Sequence, residues 1–418
     1  MTTREVAARY RWAILGLAFA GQMGYSVCFQ AVAPLAPLFQ PELGLTNVQV
    51  GFFSAAVSAG SAVMVLAAGS LTDRLGVRRV MSFGLVMCGA FMLSMAVVAS
   101  FWQAMAVMFA AGMGGALVLP GVSKAIMDWF PPSTRATAMG LKQAAVPVGG
   151  ALTASTLPAL ALLLGWRPSV AVVGILSVGA GGATALLYRD FPVARRGWGA
   201  GTTVWVGLKA VLRNGRLWAQ GIIAVTYVTV QLALSSYLAL YFSDVVLVPL
   251  ILEQHARIVA AGGYLALCQA GGVFGRVCWG VVSDRVFHGR RVLVLAIVGA
   301  IAAPLGLVVS DLGRGYPAWL LAVIVFVYGA TAIGWNGLYH VLTTETAGLR
   351  YAATGMGFGM TLNQVGTVGG APLFGFVVDW TGSYRTAWTV LAGLSTVGTL
   401  TSVVLARGER KVGQTRVG

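Results

Sequence analysis

Twelve runs of twenty or more mostly apolar residues divide this chain, and they point to an all-α membrane protein. Within the hydrocarbon of a bilayer only a helix or a closed barrel satisfies its own backbone, and a helix needs about 20 residues to cross. The runs are 12–38, 47–71, 79–99, 102–127, 136–163 and 168–188, then 217–246, 257–282, 292–311, 317–343, 351–378 and 385–406. Turn signals such as Pro131-Pro132, Gly165-Trp166 and Gly382-Ser383 separate them. The first run stays apolar as far as Phe39, too long for the core of a cleaved leader, so it is expected to be retained. Composition agrees: charged residues make up 10% of the chain, too few to coat a soluble body of 418 residues. The four cysteines, Cys28, Cys88, Cys268 and Cys278, all lie inside apolar runs without a CxxC pair, and read as small buried side chains.

One phrase occurs twice, each time at the end of an apolar run. Gly69-Ser-Leu71-Thr-Asp73-Arg74-Leu-Gly76-Val-Arg78-Arg79 is echoed 211 residues later by Gly280-Val-Val282-Ser-Asp284-Arg285, closing on Arg290-Arg291. A second phrase, Arg135/Ala138/Gly140, returns 215 residues later as Arg350/Ala353/Gly355. Nearly equal offsets make the halves copies of one unit. Duplicated apolar halves with basic punctuation mark a transporter of two pseudo-symmetric six-helix bundles. The expected division is 1–188 for the first bundle, 189–216 for a linker and 217–418 for the second bundle with a short tail.

Lys and Arg set the orientation. With both ends on one side, that side receives 21 of the 28 basic residues, while the opposite loops hold Arg167, Arg257, Arg314 and Arg385. Both termini are therefore expected in the cytoplasm, with the chain in the inner (plasma) membrane. This bias accounts for the net charge of +16, so no nucleic-acid partner is implied; the bilayer and a small solute are the expected partners of a monomer. No Ser/His/Asp grouping, zinc spacing or phosphate-cradling loop stands out, so neither an enzyme nor a cofactor is expected.

The chain resembles the major facilitator superfamily over essentially its full length, most specifically in the Gly69–Arg79 phrase, which looks like that family's signature between spans two and three. The second copy departs from it, with Phe287 where the first has Gly76. The resemblance implies a central cavity lined by spans one, four, seven and ten, with alternating access. The signature residues Gly69, Asp73, Arg74, Gly76, Arg78 and Arg79, with Asp284 and Arg285 in the second copy, are the expected gating set. Asp73, at a helix end near three arginines, can act as a latch favouring the conformer closed to the cytoplasm. A purely topological role for the arginines is the alternative.

Charge inside the spans carries the substrate argument, because each such residue costs at least ~2.5 kcal/mol at the bilayer centre. Lys124, Lys142 and Arg276 are the three, and no acid lies deep in a span, so the cavity should attract anions. Each has a structural alternative: Lys124 with Asp128 at i,i+4, Lys142 snorkelling toward the headgroups, and Arg276 paired to a carbonyl or to Asp284. Spans five and eight are expected side by side, which would bring Lys142 toward the ligand of Arg276. The setting of Arg276 resembles a substrate-binding arginine of oxalate/formate and monocarboxylate carriers. Their second basic residue, in span eleven, is replaced here by Thr361-Leu-Asn363-Gln364, which favours a monoanion. A looser resemblance to nitrate and cyanate porters lies in the Gly-rich spans five and eleven. Gln22, Tyr25, Gln231, Asn336, Asn363 and Gln364 are the uncharged candidates, since a buried amide needs a partner. His340 is the candidate for carrying a coupling proton, a buried neutral histidine being the alternative. The function expected is secondary transport of a small organic, carboxylate-type anion. The alternatives are a drug or metabolite efflux antiporter and a non-transporting receptor on the same fold.

Overall fold

The computed structural model describes residues 3–130, 132–190, 209, 211–312 and 315–415, all of it helix, turn or irregular chain, with no strand among the described residues. The helices are α1 (Thr3–Gln30), α2 (Val32–Glu42), α3 (Asn47–Leu75), α4 (Val77–Met95), α5 (Phe101–Trp129), α6 (Pro132–Leu164) and α7 (Trp166–Leu187). They continue as α8 (Gly215–Tyr241), α9 (Gln254–Val281), α10 (Arg291–Ser310), α11 (Ala318–Ala332), α12 (Asn336–Thr381) and α13 (Tyr384–Thr415). Most of the expected linker lies outside the described residues.

Local chemistry explains the boundaries. The first run is two helices: the ring of Pro34 opposes the carbonyl four residues back, so the chain breaks at Ala31 and restarts as α2. Thr46 and Gln49 close a reciprocal capping box at the start of α3. Gly76 ends α3 and opens α4 at φ +87°, and Gly165 separates α6 from α7 at φ +88°.

Eleven segments among the described residues are long and apolar enough to cross a membrane. The twelfth expected, 351–378, falls in the second part of α12, where Thr361, Asn363, Gln364 and Thr367 dilute the apolar run. Within α12 the Tyr339 hydroxyl donates to the Gly359 carbonyl at 3.2 Å. Twenty residues of straight helix would separate those groups by about 30 Å. The chain therefore reverses between them, and spans ten and eleven form two arms.

The chain clusters into two compact units, 1–193 with 236–266, and 194–235 with 267–418. In the first, α3 crosses α5 at two glycines: a Cβ added to Gly60 would lie 1.9 Å from the Phe109 carbonyl oxygen, and one on Gly112 would lie 2.0 Å from that of Val57. Lipid is as apolar as any side chain, so such backbone approach takes over the part that hydrophobic burial plays in water. Segment 236–266 belongs to this unit: the Ser54 and Ser236 hydroxyls are 3.2 Å apart, and the Tyr237 hydroxyl donates to the Asn47 carbonyl. There α9 also meets α6, since a Cβ on Gly262 would sit 2.4 Å from the Ala154 carbonyl oxygen. Spans five and eight are neighbours at this level. Farther along the unit, Glu42 accepts from the Trp166 indole at 2.6 Å and pairs with Arg167 at 3.0 Å.

The second unit repeats the crossing. A Cβ on Gly271 of α9 would lie 2.1 Å from the Phe326 carbonyl oxygen, and one on Gly329 of α11 would lie 1.9 Å from that of Cys268. Gly60 and Gly271 are 211 residues apart, the offset of the duplicated phrase.

Candidate functional site

In the second unit span ten is interrupted. Helix α11 stops at Ala332, residues 333–335 form a turn, and α12 resumes at Asn336. Backbone carbonyls next to such a break need other donors in a membrane. The Trp279 indole donates to the Ala330 carbonyl at 2.8 Å, and the Asn336 amide donates to the Ile333 carbonyl at 3.2 Å. The Arg276 Nε also points at the Ile333 carbonyl, at a long 3.5 Å. The Gln231 side-chain oxygen accepts from Asn336 at 2.8 Å and from the Trp335 indole at 3.1 Å. Arg276 is thus presented beside an amide pair, all on three helices of one unit.

Glycine makes this approach possible. A Cβ on Gly275 would lie 2.0 Å from the Ala330 carbonyl oxygen, and one on Gly334 would lie 2.9 Å from the Gly275 backbone. Trp335 is fully buried between Tyr227 and Tyr339, with ring centroids 5.6 and 5.5 Å away. It is a wall of the site and lends its one donor to Gln231. His340, half-buried, follows Asn336 by one turn with its ring 5.8 Å from that of Tyr339. Asn363 and Gln364 are half-buried in the second arm of α12, and the Asn363 Oδ1 is buried without a hydrogen-bond partner among the described residues.

The first unit holds the lysines. Lys142 is 6% exposed, and its ammonium donates to the Ser123 hydroxyl at 2.8 Å. Lys124, next to Ser123, is half-buried on α5. Gln22 is buried, and its Oε1 has no partner among the described residues. Tyr25 wedges against α5, where a Cβ on Gly115 would lie 2.0 Å from its ring, so its bulk serves packing. Ser26 and Gln30 both donate to the Val146 carbonyl, at 2.6 and 2.8 Å, fastening span one to span five just before Pro147.

The signature phrase meets a group that the sequence reading passed over. Asp190 accepts from the Arg78 backbone amide at 3.1 Å, and a Cβ on Gly76 would sit 2.7 Å from its carboxylate. The Arg78 side chain donates to the Ala185 carbonyl at 2.6 Å, so it anchors the end of span six. Arg74 and Arg79 are exposed, Gly69 has open space around it, and the Asp73 side chain lies outside the described residues. In the second copy Asp284 pairs with Arg291 at 3.0 Å, and Arg291 pairs with Glu345 at 3.0 Å, while Arg285 is exposed. The signal for Asp190 was its isolation, a lone acid at the head of a basic stretch.

The family model of the Major Facilitator Superfamily matches residues 18–371. A hexuronate transporter of Bacillus subtilis is 25% identical over 422 residues, covering 94% of each chain. A probable sulfoacetate transporter of Cupriavidus necator is 25% identical over 396 residues, covering 90% of this chain and 89% of its own. Among solved structures, an inward-facing, unoccupied bacterial homolog of the human lysosomal transporter Spinster superposes with a TM-score of 0.76 at 16% identity, over 95% of this chain and 97% of that one. At that identity the likeness speaks for fold alone.

Proposed function

The chain belongs to the major facilitator superfamily and is a multi-pass membrane transporter, and from that premise we propose that it moves a small organic anion by alternating access. The observation that carries the proposal is Arg276, held inside a span beside the Ile333 carbonyl and the Gln231–Asn336 amide pair. A guanidinium stays charged and offers a planar fork that matches a carboxylate through two parallel hydrogen bonds. The amides beside it suit hydroxyl or carbonyl groups on the rest of the solute. Hexuronate and sulfoacetate, named for two relatives, are both organic acids, which supports the same sign of charge. Lys142 and Lys124 are assigned weaker, separate contacts along the anion's route. Movement is coupled to protons through His340, with both termini in the cytoplasm.

Uptake of labelled hexuronate or sulfoacetate into proteoliposomes tests this. Hydrogen bonds to a charged partner contribute about 1.5–3 kcal/mol, so Arg276→Ala should lower uptake at limiting substrate by about a hundredfold. Arg276→Lys keeps the charge without the fork and should retain only a small part of it. Wild-type uptake of the anion by Arg276→Ala at matched protein level overturns the site, and binding without exchange in counterflow would make the protein a receptor.

A further inference from the structure

The second unit contains a cavity of about 370 Å³ that the proposed transport site does not use. It lies at the end of the spans that carries the basic loops, and Arg216, Gln220, Arg291, Glu345 and Leu405 are among the residues lining it. Two guanidinium groups and one carboxylate line it, and a second carboxylate, Asp284, pairs with one of the guanidiniums. Arg291 is held in place: its Nε donates to both oxygens of Glu345, at 3.1 and 3.0 Å, and its Nη1 donates to Asp284 at 3.0 Å. Its Nη2 makes no bond among the described residues, and Arg216 forms no ion pair among them.

Helix α8 begins at the same place. The Asn214 side chain caps it by accepting from the Arg216 amide at 3.0 Å, so the positive end of a 27-residue helix borders the cavity. The independent observation is Gln220. It is 2% exposed, its Nε2 donates to Thr346 at 2.7 Å, and its Oε1 is buried without a partner among the described residues. A buried acceptor calls for a donor, while Arg216, without an ion pair among the described residues, the unused Nη2 of Arg291 and the helix end call for an acceptor with negative charge.

We infer that this cavity is a second ligand site, distinct from the transport site, for a phosphate ester that carries its own O–H or N–H donor. The phosphate lies against Arg216 and the free edge of Arg291, and the donor meets Gln220 Oε1 and Glu345. Leu342 and Leu405 give the cavity an apolar side that suits the acyl side of a lipid; a soluble phosphate ester satisfies the same polar groups.

The test is the melting temperature of the full-length protein in neutral detergent, because a ligand of the folded state raises it by mass action. Four probes are used: short-chain phosphatidylglycerol, short-chain phosphatidylcholine, glycerol 3-phosphate and methyl phosphate. The glycerol-bearing probe of at least one pair should raise the melting temperature more than its donor-poor partner. The lipid pair responding identifies a headgroup, and the soluble pair a cytoplasmic metabolite. Arg216→Ala, an exposed residue, should weaken the response about tenfold. Gln220→Leu should erase the preference within the pair, and Arg276→Ala should leave the response intact, separating this site from the proposed transport site. Absence of a shift with all four probes, or a shift unchanged in both Arg216→Ala and Gln220→Leu, overturns the inference.

Discussion

Gly275 and Gly280 lie on the same helix five residues apart, yet a methyl group has opposite consequences at the two. At Gly275 it would meet the Ala330 backbone at 2.0 Å, while at Gly280 nothing lies within 4 Å. Neither backbone can yield alone, so Gly275→Ala must push α9 away from the break in span ten, and overpacking of this kind costs about 1–3 kcal/mol. Gly275→Ala should therefore melt at a lower temperature and lose substrate affinity, because Arg276 moves with its helix. Gly280→Ala should melt and transport like wild type; equal behaviour of the two variants would sink the argument. Arg276, Gln231 and Asn336 were legible in the sequence because an ion or amide in a membrane is expensive to leave without a partner. The Gln231–Asn336 bond between spans seven and ten was not legible, since it depends on a three-residue turn that no Pro announces.

Among the elements, the junction of α3 and α4 rests on one residue. Gly76 has φ +87°, a region L side chains rarely adopt, and it lies against the Asp190 carboxylate. Gly76→Ala should lower stability by about 1–3 kcal/mol, the size of a strained backbone position. Asp190→Ala, measured by thermal melting beside it and in the double variant, should show non-additivity, because the two residues are in contact. Strict additivity would mean that Gly76 matters for its dihedral alone. Helix existence was legible from length and apolarity, and several ends from Gly and Pro. One feature was not: the break at Ala31 follows from Pro34 inside a run that looked continuous. The reversal within α12 falls between the runs 317–343 and 351–378 that the sequence had already separated.

At the scale of the whole molecule, the proposed proton coupling is tested at His340. His340 follows Asn336 by one turn, on the arm that begins at the break in span ten. If it carries the proton, His340→Asn should abolish uphill accumulation under a pH gradient and leave counterflow intact; unchanged accumulation would remove it from the proposal. The duplicated plan of the machine was legible from the nearly equal offsets of two phrases. The glycine crossings that obey the same plan were not, because a glycine among 56 carries no mark of what it touches. Those crossings bear on how such a chain acquires new cargo. Residues 60, 112, 271 and 329 press backbone to backbone with no room for even a methyl group. The polar residues around Arg276 meet their neighbours through side chains and can be exchanged one at a time. A library selected for growth on a foreign acid should therefore collect its changes at positions such as 231 and 336 and leave the four crossings untouched. The frame is closed to revision, and the binding chemistry hung on it is open.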